Sequence, residues 1–392
     1  MNILFYTWHE FTYQDGYDAF VALGHNVTRI YYEWKNLAGD ETFEKMLLDE
    51  LTKKDGDKPY YDFAFSFNFF PVVSIACQKT NTPYISLVFD SPFLPLTSIR
   101  IHNECNHIFT FDRRQAERMR EEGCERIFYS PLGVDAERIR EQTEPLYEKV
   151  FEHEICFLGN LYDNEYVFYD QIEYLPQHLR GYFDGVIAAQ EHVFGYDLIG
   201  DETVIPRDMI TEMHQYVNFQ RTDQYTMDEN VVLRDMLRRK VTQLERPKLL
   251  TMLAKRFPVD LYTNPKQKTP EGVRNLGYAN YRTEMPQIFN RSKINLNITM
   301  RTIISGIPLR VLDVMAAGGF LITTFQEEVA AQFKDGEELV IAYTPEDLAE
   351  KCAYYLADDE AREAIARAGR EKVLKEYRYE QVLKEIINKA IK

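Results

Sequence analysis

Residues 293–324 read KINLNITMRTIISGIPLRVLDVMAAGGFLITT, and this stretch decides the fold. It opens on a short apolar run, Ile294-Asn295-Leu296-Asn297-Ile298, with the character of a buried strand. A polar loop follows, carrying Arg301 and Ser305-Gly306. Pro308 then precedes Leu309 to Ala317, whose apolar residues recur at helical spacing, and Gly318-Gly319 ends that helix. Phe320 to Thr324 is a second buried strand. Strand, loop, helix, strand is one turn of a parallel α/β sheet, in which ligands sit beyond the carboxyl ends of the strands. Arg301, Ser305, Gly306 and the start of the helix are therefore expected at a ligand.

Those residue types suit a nucleoside diphosphate. A helix N-terminus offers free N–H groups and partial positive charge to an anion. Arg301 and Arg310 can fork onto phosphate oxygens, and Asp313, one turn into the helix, can accept hydrogen bonds from ribose hydroxyls. The alternative for both arginines is solvation or pairing with acids.

Working outward, 392 residues allow two domains of ordinary size, and 45% hydrophobic residues can fill their cores. The many aromatics, 26 Tyr and 25 Phe, are core and rim packing for the most part, with some available to stack on a sugar or base. A net charge of −16 argues against a nucleic-acid partner and against an anionic lipid surface. The one basic cluster, Arg234 to Lys240, reads as a solvated helix face. Cys77, Cys105, Cys124, Cys156 and Cys352 are scattered, so neither zinc nor a disulfide framework is indicated, and free thiols suit a reducing cytoplasm. No signal peptide or membrane-spanning stretch is expected.

In the N-terminal half, apolar runs at Ile3–Thr7, His25–Tyr31, Tyr61–Phe67, Tyr84–Phe89 and His107–Asp112 alternate with helical segments, the pattern of a Rossmann-like domain. The loop Trp8-His9-Glu10-Phe11-Thr12 lacks a Gly-x-Gly-x-x-Gly run, so no dinucleotide is indicated there. His9 is a candidate general base, or a merely exposed side chain. Asp90 ends the fourth strand and is either a base or hydroxyl ligand, or a turn-forming residue before Pro92. Residues 136–152 read as a charged linker. Glu154 to Asn160 starts a second Rossmann-like domain, in which Gly159 and Asn160 let the backbone approach a phosphate. Residues 162–257 read as a mostly helical insertion that caps a cleft or mediates a homodimer. Strand Val259–Thr263 resumes the sheet, and Ala330–Phe333 and Glu337–Tyr343 are read as continuing it.

The order of these motifs resembles the two-domain GT-B glycosyltransferases. Their donor segment carries two acids with seven residues between them; Asp313 falls at the second and Ser305 stands at the first. The segment is more similar to the CgeB-like (spore-maturation-protein-type) glycosyltransferase group, as are the strand ending in Asp90-Ser91-Pro92 and the unit His107 to Asp135. The resemblance implies an α/β GT-B fold: a Rossmann-like acceptor-side domain over residues 1–150 and a nucleotide-sugar domain over 151–375, facing across a cleft. It also implies a last helix, 376–392, returning to the first domain. Asn275 to Tyr281 resembles the turn that holds the donor base, which puts Tyr278 at the base.

The expectation is a cytoplasmic hexosyltransferase moving a sugar from a UDP-linked donor to a hydroxyl of a protein, a cell-surface or spore glycan, or a small molecule. No cofactor and no metal are expected, because the arginines and the helix N-terminus would carry the diphosphate charge. A sugar-nucleotide epimerase of the same architecture and a non-catalytic nucleotide-sugar-binding protein remain as alternatives.

Overall fold

The computed structural model describes residues 1–33, 39–144, 150–163, 168–172, 174–217 and 228–391. Parts of the expected linker and insertion (145–149, 164–167, 173 and 218–227) lie outside the described residues. The chain divides into two compact units, one of Met1–Asp135 with Glu376–Lys392, the other of Ala136–Gln220 with Asp228–Lys375.

The first unit contains strands β1 (Asn2–Thr7), β2 (Asn26–Tyr31), the hairpin pair β3 (Lys54–Asp55) and β4 (Lys58–Pro59), β5 (Phe63–Phe67), β6 (Tyr84–Val88), β7 (Asn106–Thr110) and β8 (Ile127–Tyr129). Its early helices are α1 (Tyr13–Ala22), α2 (Glu41–Leu51), α3 (Pro71–Thr80) and α4 (Arg113–Glu121). Short side chains start two of them: Asp40 accepts from the Phe43 N–H at 3.0 Å and Asp112 from the Gln115 N–H at 3.2 Å. The main sheet is parallel, in the order β2-β1-β5-β6-β7-β8. Strands β5 and β6 are buried along their whole length, as a sheet covered by helices on both faces requires.

The second unit has a parallel sheet in the order β11-β10-β9-β12-β13-β14. Its strands are β9 (His153–Leu158), β10 (Val259–Tyr262), β11 (Arg274–Gly277), β12 (Ser292–Asn297), β13 (Leu321–Thr324) and β14 (Val340–Ala342). Its helices run α5 (Ala136–Thr143), α6 (Gln177–Gln190), α7 (Arg207–His214), α8 (Glu229–Ala254), α9 (Met285–Asn290), α10 (Leu309–Ala316), α11 (Glu327–Gln332), α12 (Pro345–Ala357) and α13 (Asp359–Glu376). The deciding stretch folds as β12, α10 and β13, and Gly318 closes α10 at a left-handed φ of 73°. Helix α14 (Tyr379–Ala390) belongs to the first unit.

Strand order reverses beside β1 in the first unit and beside β9 in the second. The crevices beyond the carboxyl ends of β1/β5 and of β9/β12 are the ligand positions this topology provides. Among the described residues no helix is long and apolar enough to cross a membrane.

Three sequence readings are corrected. Residues 136–143 are helix rather than linker, because Ala136, Ile139 and Thr143 share one buried stripe. Ala330 to Gln332 belong to α11, with only Val340–Ala342 forming strand in that region. The basic cluster in α8 is not a solvated face. Arg234 and Arg238 are buried: Arg234 donates to the Ile199 and Ile205 carbonyls, and Arg238 pairs with Asp197 and Asp235. The insertion supplies these guanidinium groups with acceptors, so it can bury them around its own apolar core of Leu179, Phe183, Ile199, Leu233, Leu237 and Val241.

Candidate functional site

In the second unit the chain leaves β9 through Gly159 and Asn160 and leaves β12 through Ile298. Arg310, in the first turn of α10, lies over Gly159 so closely that a Cβ there would come 2.5 Å from Arg310 Nη2. Its Nη1 donates to Asn297 Oδ1 at 3.1 Å. Asn297 is held in that orientation because its amide nitrogen donates to Thr299 Oγ1 and Thr323 Oγ1, both at 2.9 Å. Burial, followed by the charge of Arg246, pushes the Arg310 guanidinium down to about 10.

Arg246 comes from α8 and was missed in the sequence. Its Nη1 donates to the Asn160 carbonyl at 2.5 Å and its Nη2 to the Ile298 carbonyl at 2.6 Å, so it ties together the loops after β9 and β12. Arg310 lies 5.3 Å and Arg246 5.4 Å from the centroid of the Phe157 ring. Among the described residues neither guanidinium makes an ion pair, and Arg246 Nε is buried without a hydrogen-bond partner. Two positive charges at one crevice, Arg246 buried and Arg310 half-buried, are costly unless an anion joins them. A readable signal existed. Thr242, Glu245, Arg246, Leu249, Leu250 and Leu253 occupy one buried helical stripe, with charges where apolar residues are usual.

Arg301 is committed elsewhere. Its Nε donates to Glu245 Oε2 at 3.0 Å, its Nη2 meets Glu245 Oε1, and its Nη1 donates to the Val193 carbonyl at 3.2 Å. Its backbone N–H donates to Thr242 Oγ1 at 3.0 Å. The outcome is the acid pairing left open in the sequence, and the charge of Arg301 anchors its loop to the insertion. Ser305 is buried and donates to Glu328 Oε1 at 3.0 Å; Gly306 is buried beside it. Asp313 is 6% exposed in α10, with the Tyr281 hydroxyl 3.5 Å from its Oδ1. Tyr278 follows β11 and is 71% exposed, which leaves its ring face open.

In the first unit, Asp90 Oδ2 accepts from Asn68 Nδ2 at 2.7 Å. Asn68 is buried in a left-handed conformation and its Oδ1 accepts from the Phe89 N–H at 3.0 Å, so the loops after β5 and β6 are fastened at this carboxylate. His9, also left-handed, has its side chain turned to solvent, where Nε2 meets Glu33 and lies 2.7 Å from the Tyr31 hydroxyl. Its neighbour Glu10 is 3% exposed and points inward, a burial that residue type alone does not signal. Burial is the first cause pushing Glu10 up to about 7, against the lowering effect of the Trp8 N–H, its own N–H, Arg29 and His9.

No group of three or more potential metal ligands occurs among the described residues. The sequence contains one Asp-x-Asp run, Asp55-Gly56-Asp57. It forms the exposed turn of the β3–β4 hairpin, ahead of β5 in the chain.

Residues 239–388 match the family described as glycosyl transferase-like. No curated protein matches the chain. Among solved structures, sucrose-phosphate synthase from Thermosynechococcus elongatus is 9% identical with a TM-score of 0.54, covering 99% of this chain and 98% of that one. A glycosyltransferase from Rickettsia africae is 11% identical with a TM-score of 0.52, covering 99% and 97%. Anabaena HepE in complex with UDP and glucose is 11% identical with a TM-score of 0.50, covering 99% of each chain. The chain thus has the GT-B fold and carries, over residues 239–388, a glycosyltransferase-like domain.

Proposed function

We propose that the protein transfers a hexosyl group from a UDP-sugar to a hydroxyl of an acceptor. The observation carrying this reading is the pair Arg310 and Arg246, two guanidinium groups without carboxylate partners among the described residues, at the crevice where strand order reverses. A diphosphate supplies the missing negative charge. As the bond between sugar and diphosphate breaks, charge grows on the leaving phosphate, and fixed cations stabilise that change without reorganising.

The N-terminus of α10 adds its N–H groups at the same crevice. Asp313 is close enough to the start of α10 to accept from ribose hydroxyls, and the open ring of Tyr278 can stack on the base. Gly159 leaves room for Arg310, and Glu245 holds Arg301 so that its loop keeps its shape. Asp90, fixed by Asn68, orients the acceptor hydroxyl in the first unit. UDP is favoured as the nucleotide because the Anabaena protein of the same fold holds UDP. The CgeB-like pattern of the donor segment favours a protein or glycan acceptor.

The test is calorimetric titration with UDP, ADP and GDP. Saturable binding of UDP in preference to the others supports the reading; absence of binding by any nucleoside diphosphate overturns it.

A further inference from the structure

In the first unit the strand order reverses between β1 and β5, and the loop after β1 lies at that reversal. The Trp8 indole N–H donates across it to the Phe67 carbonyl at 3.4 Å. Glu10 follows two residues later. Its Oε2 is fixed by the Trp8 backbone N–H at 2.6 Å, whereas its Oε1 is buried and has no hydrogen-bond partner. Two residues further on, Thr12 is fully buried and its Oγ1 also lacks a partner. Thr12 occupies the cap position of α1, yet its side chain makes no cap bond. A buried carboxylate oxygen and a buried hydroxyl with unmet hydrogen-bonding capacity are costly, and folded proteins rarely leave such atoms without a purpose.

We propose that Glu10 is the group that receives the acceptor's hydroxyl and takes its proton during transfer. This rests on the glycosyltransferase reading above. In the step, the acceptor O–H bond breaks and its proton passes to Glu10 Oε1. The oxygen's electron pair forms the new bond to the anomeric carbon, and the bond from that carbon to the diphosphate breaks. Its electron pair leaves with UDP. Thr12 Oγ1 is placed in the same loop to donate to, or accept from, a neighbouring hydroxyl.

The electrostatics agree with that geometry. A group titrating at about 7 is charged often enough to accept a proton and basic enough to hold it near neutral pH. The charged and titratable groups facing it are Arg29 and Tyr31 of β2, Tyr6 of β1 and His9 of the loop. Arg29 is itself held by Thr7 Oγ1 at 2.8 Å and lies 4.2 Å from the Tyr13 ring centroid, so its position is set. His9 is turned to solvent with Glu33 and does not share the buried position.

The experiment measures UDP release from UDP-glucose, with water as acceptor, between pH 5.5 and 9. It compares wild type, Glu10→Gln, and Glu10→Ala with and without formate. UDP affinity by calorimetry and melting temperature serve as controls on each variant. The expected wild-type rate climbs with pH and levels off above about 7. Glu10→Gln lowers it by roughly a hundredfold or more, removes the pH dependence, and leaves UDP affinity within about twofold; formate partly restores Glu10→Ala. An unchanged pH midpoint in a folded Glu10→Gln overturns the proposal, as does a wild type that binds UDP yet releases none. A slower Glu10→Gln that keeps the wild-type pH profile, with no rescue by formate, would mean that Oε1 meets only a trapped water. A wild type that binds no UDP refutes the donor reading instead, and this assignment falls with it.

Discussion

Arg310 and Gly159 share one space: the guanidinium of Arg310 occupies the position a side chain on residue 159 would need, 2.5 Å from its Cβ. Gly159→Ala should therefore displace Arg310 while leaving the fold intact. The expected result is UDP binding weaker by about tenfold, or about 1.4 kcal/mol, measured by calorimetry. An unchanged affinity would show that the location of Arg310 does not matter to the ligand.

Arg310 itself should show opposite effects on stability and binding. Its charge is disfavoured by burial and by Arg246, so Arg310→Met relieves a cost in the empty protein. The unliganded variant should melt higher, by an amount equivalent to about 1 kcal/mol. UDP binding should fall by about 1.5–3 kcal/mol, the range for hydrogen bonds to charged groups. Thermal melts with and without UDP read both effects.

Glu245→Ala should be damaging at a distance. It leaves Arg301 without its acid and costs about 3–5 kcal/mol, as breaking a buried pair does. Urea unfolding gives that figure. Glu245→Gln, which keeps one acceptor oxygen for Arg301, should recover part of the loss.

Stability should carry the signature of Glu10. Its folded-state value of about 7 lies above the ordinary 4.5, so folding favours the neutral carboxyl. That contribution is fully present below pH 4.5 and is lost as pH rises through 7. Between pH 5 and 8 the wild type should lose up to about 3 kcal/mol that Glu10→Gln keeps. Parallel denaturation curves at the two pH values check the difference, and equal pH dependence in both proteins refutes it.

Chelation should leave donor binding intact. If Arg310, Arg246 and the start of α10 meet the diphosphate charge, UDP affinity and turnover should be the same with excess EDTA as without it. Loss of turnover on chelation, restored by magnesium or manganese, would reassign that role to a metal.

The parallel sheets were legible because buried strands are written as local apolar runs, as in β5 and β6. Gly318 marked the end of α10 for an equally local reason, since its left-handed φ suits glycine. The crevice beyond β9 and β12 was half legible. Arg310 and Gly159 were singled out from their own neighbourhoods, but Arg246 acts 86 residues from Asn160 in the chain, and only the fold joins them. Arg301 was placed in the right loop, and its partner Glu245 lies 56 residues away, so its neutralisation could not be read. In the loop after β1, chemistry favoured His9 and geometry favoured Glu10. A left-handed residue redirects the chain, and the choice of which neighbour faces inward depends on that turn rather than on residue type.

Helix α14 closes the first unit with Tyr379, Val382, Leu383, Ile386 and Ile387, packing on α1 and β6. Tyr379 fits against Gly133, where a Cβ would fall 2.9 Å from its ring, and Val134 exchanges backbone hydrogen bonds with Tyr377 and Tyr379 at 2.8 and 3.0 Å. On the ribosome, the sheet of the first unit is made early, but this helix emerges only after the whole second unit has been synthesised. The nascent first unit must wait with an uncovered apolar face for some 240 residues of translation. Release of a chain stopped just before Glu376 would leave that face permanently open to chaperones and to other chains.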